Sequence, residues 1–216
     1  MKKQLLLSLV WLVCQTVSIH ASTILIGNLS NYTNDTNLVA YKANTGSVGK
    51  AIGFTMGTTD FNLDSVTLRL FMGTGAVPLV ELWAGNATSI TGTSALLTLT
   101  NPGTLPAAYT NDVFTAPTTF TLTAGSTYYV VLRETSGNGN VLWSFDGTAA
   151  TTGQPGVSTV QRLIGSNSAV LPSAWTSTSG VNNWFEIGVS AVPEPSAVGL
   201  FGMGGLLLSL YRRRLA

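Results

Sequence analysis

Three groups of residues in this 216-residue chain have side-chain types and spacing suited to chemistry. Asp60-Phe-Asn-Leu-Asp64 sets oxygen ligands at alternate positions, as a calcium loop does at its start. The pattern then fails, because Ser65 stands where the turn glycine belongs and Phe71 where the bidentate glutamate belongs. The stretch therefore reads as a turn leading into a strand at Val66, and Asp146-Gly147 reads as another turn. No metal site and no cofactor are expected. The second group is the eight carboxylates between Ser22 and Ala191, two of which would suffice for glycoside hydrolysis at the right separation. Glu81, Glu186 and Arg133, however, fall on the polar sides of strand patterns, where a solvated charge is the ordinary reading. No serine nucleophile elbow, phosphate loop or dinucleotide fingerprint accompanies them. No catalytic residue is assigned, and the chain reads as a non-enzyme, with a glycan-active enzyme the third choice of function. The third group is Trp83, Trp143, Trp175 and Trp184. Trp83 and Trp184 are out of phase with the apolar residues beside them. Turned outward they would make a platform for sugar rings, although packing is the commoner role of such rings. They carry the alternative reading, a carbohydrate-binding module for exopolysaccharide.

What the chain lacks excludes more. Lys2 and Lys3, the apolar run Leu5 to Val13 and a less apolar stretch to Ala21 have the order of a secretory signal, so residues 1–21 are expected to be a signal peptide cut by signal peptidase between Ala21 and Ser22. Cys14 and His20, the one cysteine and the one histidine, lie in that segment. Its removal eliminates disulfides, thiolate nucleophiles, imidazole bases and Cys/His zinc sites together. Residues 22–191 then carry five basic and eight acidic side chains, a net of −3, although the whole chain is +1. A mildly acidic domain without a basic cluster has no electrostatic footprint for nucleic acid. Asn28, Asn31, Asn34 and Asn86 head Asn-x-Ser/Thr sequons, which the high Asn and Thr content explains.

At the other end, Ala197 to Tyr211 is a 15-residue apolar stretch. As a helix it would reach roughly 22 Å, short of the ~30 Å hydrocarbon core. Arg212, Arg213 and Arg214 beyond it would hold that end in the cytoplasm by the positive-inside rule, a membrane stop at the inner membrane. Gly199, Gly202, Gly204 and Gly205 weaken it as a permanent helix and suit a transient anchor during export. Immediately before, Pro193-Glu194-Pro195 cannot be helical, since each proline lacks an amide hydrogen and pushes the preceding residue to an extended conformation. Val192-Pro-Glu-Pro-Ser, an apolar stretch and an arginine cluster, in that order, resemble the PEP-CTERM sorting signal, which places a sorting segment at 192–216. The resemblance implies recognition at Val192, Pro193, Glu194 and Pro195 by an exosortase, a membrane-embedded processing enzyme of Gram-negative bacteria with exopolysaccharide systems, and then loss of the tail. The protein is accordingly expected at the cell surface or in the extracellular matrix, as a structural component of a biofilm.

The elements between the ends are strands. Val66, Leu68 and Leu70 alternate with Thr67 and Arg69; Val80 and Leu82 flank Glu81; Tyr128, Val130 and Leu132 alternate with Tyr129, Val131 and Arg133; Phe185, Ile187 and Val189 alternate with Glu186 and Gly188. Period two sends the first set of each to a buried face. Clusters such as Gly73-Thr-Gly75, Asn101-Pro-Gly103 and Gly153-Gln-Pro-Gly156 interrupt them. An all-β, antiparallel β-sandwich of jelly-roll type follows for residues 22–191, with a single apolar helix expected only in the C-terminal tail. Phe54, Leu63-Asp-Ser-Val-Thr-Leu-Arg-Leu70, Val80-Glu-Leu82, Phe114-Thr-Ala-Pro117, Leu122-Thr-Ala-Gly-Ser-Thr-Tyr-Tyr129 and Trp143 resemble the choice-of-anchor type R domain of exported bacterial proteins, with Trp83 in place of the expected tyrosine. The resemblance implies a location and a fold and supplies no catalytic residues.

Overall fold

The computed structural model describes residues 22–33, 35, 49–134, 141–146, 150–165, 175–178 and 182–192. Along the chain the strands are β1 (Thr23–Gly27), β2 (Gly49–Thr55), β3 (Phe61–Met72), β4 (Pro78–Gly85), β5 (Leu97–Thr98), β6 (Thr110–Thr115), β7 (Thr121–Leu122) and β8 (Thr127–Glu134), followed by β9 (Val141–Trp143), β10 (Phe145–Asp146), β11 (Thr152–Gly153), β12 (Ser158–Gly165), β13 (Trp175–Thr178), β14 (Asn182–Asn183) and β15 (Phe185–Ala191). One 3-10 turn, Leu29–Asn31, follows β1. The first sheet runs β11-β1-β15-β3-β6, with β7 and β9 also on β3; the second runs β13-β12-β2-β8-β4-β5; β10 and β14 pair separately. The pairing is antiparallel throughout, as expected.

Take β1, β2, β3, β4, β5, β6, β8 and β15 as the frame. The first pairs with the last, the second with the seventh, the third with the sixth and the fourth with the fifth. Such nesting is how a jelly roll wraps a folded ribbon into two sheets. The β12–β13 hairpin extends the second sheet beyond β2, and β11 extends the first beyond β1. Residues 22–191 form a compact unit of their own. The expected signal peptide with Ala21, the apolar helix, Pro193, Glu194, Pro195 and Arg212, Arg213 and Arg214 lie outside the described residues. Among those described, no helix is long and apolar enough to cross a membrane.

The alternating apolar residues meet between the sheets. Val66, Leu68, Leu70, Phe114, Ile187 and Val189 from the first sheet join Ile52, Phe54, Val80, Leu82, Val130 and Leu132 from the second in one buried cluster. Each such side chain contributes roughly 1.5–3 kcal/mol on complete burial. Charged residues also occur on this inner side, among them Lys50, which is in phase with Ile52 on β2, and Asp112. Asp112 alternates with Phe114 on β6 and is buried. Thr110 Oγ1 donates to its Oδ1 at 2.8 Å, while Oδ2 finds no partner among the described residues. Burial holds its carboxyl above the ordinary carboxylate range. A carboxylate raised in this way is least costly while protonated, and its penalty grows as pH rises through its folded-state value. Asp112→Asn is therefore expected to raise the melting temperature at neutral pH, with a gain that shrinks as the buffer is brought down through the carboxylate range.

The second sheet departs from the expectation of one buried face. Tyr129 and Val131, assigned to the polar side of β8, are buried with Ala51, Trp83 and Leu163 in a second cluster, flanked by Ile90, Ala95, Val160 and Trp175. The outer face of this sheet is thus a small core of its own. It is paved with glycine where the tyrosine lies: a Cβ at Gly53 would come 2.6 Å from Tyr129 Cε1, and one at Gly85 would come 2.3 Å from Cε2. Two bare backbones leave the ring a flat bed, and Tyr129 Oη donates to the Asn86 carbonyl at 2.9 Å. Gly85→Ala is expected to cost about 1–3 kcal/mol, read from urea denaturation, because the added methyl overpacks the bed.

Candidate functional site

The second core decides the fate of the tryptophans. Trp83 projects from β4 into it and is 2% exposed, with Nε1 donating to Glu81 Oε2 at 3.2 Å. Trp184, between β14 and β15, is 1% exposed and stacks edge-on against Tyr32 with centroids 5.3 Å apart. This corrects the reading of both as outward rings. Phase told them apart from the inter-sheet core, but a second apolar layer covers Trp83 and the segment after β1 covers Trp184. Neither offers a face to a sugar ring. Glu81, expected as solvated charge, is also buried, paired with Arg133 through Nη2 at 2.5 Å and Nε at 3.1 Å.

Asp60, Asn62 and Asp64 do not form a turn. β3 begins at Phe61, so these polar residues alternate along an extended chain beside Phe61 and Leu63. Each is committed separately: Asp60 Oδ1 accepts from the Ala124 amide at 2.7 Å, Asn62 Oδ1 from Thr121 Oγ1 at 3.0 Å, and Asp64 Oδ1 from Ser190 Oγ at 2.8 Å. Among the described residues no three His, Cys, Asp or Glu side chains gather as a metal site would require. The Asn28 sequon is likewise closed. Asn28 is fully buried, donating to the Asn183 carbonyl at 2.9 Å and accepting from the Phe185 amide at 2.8 Å.

A polar knot escaped the sequence reading. Arg69 on β3 pairs bidentately with Asp35, with Nε at 2.7 Å from Oδ1 and Nη2 on Oδ2. It also donates to Tyr32 Oη at 2.9 Å and to Asn111 Oδ1 at 3.2 Å, and the Tyr32 ring lies 4.0 Å from its guanidinium carbon. Ser144 Oγ donates to the same Asp35 carboxylate at 3.2 Å. The knot fastens the segment after β1 to the outer side of the first sheet. Its partners are 34, 37 and 109 positions apart in the chain, beyond the reach of local pattern. The Arg69 guanidinium, bonded to Asp35, holds that carboxyl below the usual range against the opposing effect of burial. A depressed carboxylate stabilises the fold above its unfolded-state pKa, and the gain is lost as pH falls through the folded-state value. Asp35→Asn is therefore expected to lower the melting temperature at pH 7, with the difference from wild type closing below about pH 4, the ordinary carboxylate range.

The remaining feature is the exit of the domain. β15 is flanked by β1 and β3, and its last residues run Ser190 opposite Asn62 and Ala191 opposite Phe61. Val192 follows directly and is 36% exposed. Beside Ser190 opens a polar cleft of about 280 Å³ lined by Asn62, Leu63, Asp64, Ala116, Thr118, Thr119 and Ser190. No linker separates the folded strand from the sequence that begins at Val192. Residues 191–214 match the family model described as the PEP-CTERM protein-sorting motif. Comparison with curated proteins finds no match. A PEP-CTERM motif marks an exported protein that an exosortase processes and that is sorted to the cell surface in Gram-negative bacteria.

Proposed function

We propose that residues 22–191 are a non-enzymatic structural domain of the extracellular matrix, delivered to the surface by export, transient anchoring in the inner membrane and removal of the C-terminal tail. The observation that carries this reading is the sorting motif placed directly on the end of β15. The chemistry of the domain is in keeping with it. Four of its eight carboxylates serve the fold: Glu81 holds Arg133, Asp35 holds Arg69, Asp64 holds Ser190 and Asp60 caps the Ala124 amide. A carboxylate engaged with a structural partner is less well placed to shuttle protons to a substrate. The middle of the chain, with its resemblance to choice-of-anchor type R domains, agrees with a module whose role is to be displayed. Partition of the processed protein is the test. In a host with an exosortase and an exopolysaccharide system, the mature protein is expected in the matrix fraction, and the purified protein should release no reducing sugar from that polysaccharide. Recovery solely as free protein in the medium, or release of sugar, would reject the structural reading.

A further inference from the structure

The spacing between fold and motif restricts how the processing enzyme can reach its target. Ser190 lines the polar cleft and is hydrogen-bonded to Asp64, and the motif's prolines stand three and five residues later. Even fully extended, chain spans only about 3.3–3.6 Å per residue, so the first proline lies within roughly 11 Å of Ser190. An enzyme body that grips Pro193-Glu194-Pro195 is many times wider than that interval. It must meet the rim of the domain on the side where β15 ends. The rim there is made by the β6–β7 connection with Thr118 and Thr119, both exposed, and by Asn62 and Asp64 on β3.

We infer that the cleft formed by Asn62, Asp64, Thr118, Thr119 and Ser190 is a contact surface for the membrane-embedded processing peptidase, used together with the Pro-Glu-Pro sequence. This inference rests on the sorting reading above. The cleft suits a short-range polar contact: its lining has hydroxyls and a side-chain amide that donate and accept, one carboxylate, and the apolar Leu63 and Ala116. Hydroxyls at a rim can meet backbone groups of an opposing loop without a matched charge. The domain is thus part of what the enzyme reads, and substrates that differ in this rim are processed at different rates.

The test uses the full-length chain with an epitope after Ala216, in a host with an exosortase, and follows tail loss by pulse-chase. Thr118→Arg with Thr119→Arg fills the rim with two long cations. At the natural spacing this pair is expected to slow tail loss at least several-fold. A second version of each protein carries a ten-residue Gly-Ser insertion between Ala191 and Val192, which adds a mean reach of roughly 17 Å and lifts the enzyme clear of the rim. There the substituted and unsubstituted proteins should be processed alike, which a misfolded variant would not be. Equal rates at the natural spacing, or slowing that persists with the insertion, would overturn the inference. The Pro-Glu-Pro alanine variant separates the two claims: if it is processed normally, the sorting reading fails, whatever the rim does.

Discussion

Alanine at Pro193, Glu194 and Pro195 is expected to leave the C-terminal segment attached and to trap the protein in the cell membrane. The match to the sorting motif covers residues 191–214, so the three substitutions fall at its start and spare both the apolar stretch and the arginines. Two prolines fix φ and remove two amide donors, which keeps the peptide extended and unable to be absorbed into a helix that runs on into Ala197 to Tyr211. Alanine, the best helix former, removes that barrier. The enzyme then loses both an extended substrate and the side chains it reads. With an epitope after Ala216, wild type should lose the tag and reach the surface, whereas the variant should keep it and fractionate with the inner membrane. A surface-exposed wild-type protein that retains the epitope would make the segment a plain anchor.

Arg133→Met is expected to destabilise the domain by about 3–5 kcal/mol, the range for removing one partner of a buried ion pair. Glu81 side-chain exposure is 7%, and Arg133 supplies two of the donors on its Oε2. After the substitution the Trp83 indole, at 3.2 Å, is the remaining donor to that atom among the described residues. The cost arises from a stranded carboxylate more than from a lost attraction, and a double substitution exposes the difference. Glu81→Gln with Arg133→Met removes the charge, keeps an acceptor for the indole, and should recover a large part of the loss. Urea denaturation of the three variants beside wild type measures both quantities; a double variant no more stable than Arg133→Met would mean that stranded charge is not the cause.

These two sites also show how far the sequence could be read. The inner faces were legible because period two is enforced wherever one side of a strand meets the core: Val66, Leu68 and Leu70, then Phe185, Ile187 and Val189, all face inward. The outer core was missed at a place where its signal was present. Tyr128 to Leu132 is apolar in both phases, which is the mark of a strand buried on two sides, and Glu81 and Trp83 sit in a neighbouring run of the same kind. Asp60 to Asp64 misled in the other direction, since turn-forming residue types concealed an alternation with Phe61 and Leu63 that belongs to β3. The Arg69 knot could not have been found this way. It is made by contacts that exist only after β1, β3 and the Ser144 region have been brought together. The sorting motif was readable because its residues are contiguous in the chain.

The placement of β15 between β1 and β3 also bears on how the domain responds to force along that strand. β15 ends at Ala191, and the hydrogen bonds to both neighbours lie across the strand. Tension applied along β15 therefore loads these bonds in shear, along two ladders at once. A strand at the edge of the sheet, drawn outward, would open one bond at a time like a zipper. Resistance to such force is governed by the rate of unfolding and not by equilibrium stability. Force that reaches the domain through Val192 therefore meets a strand bonded on both sides.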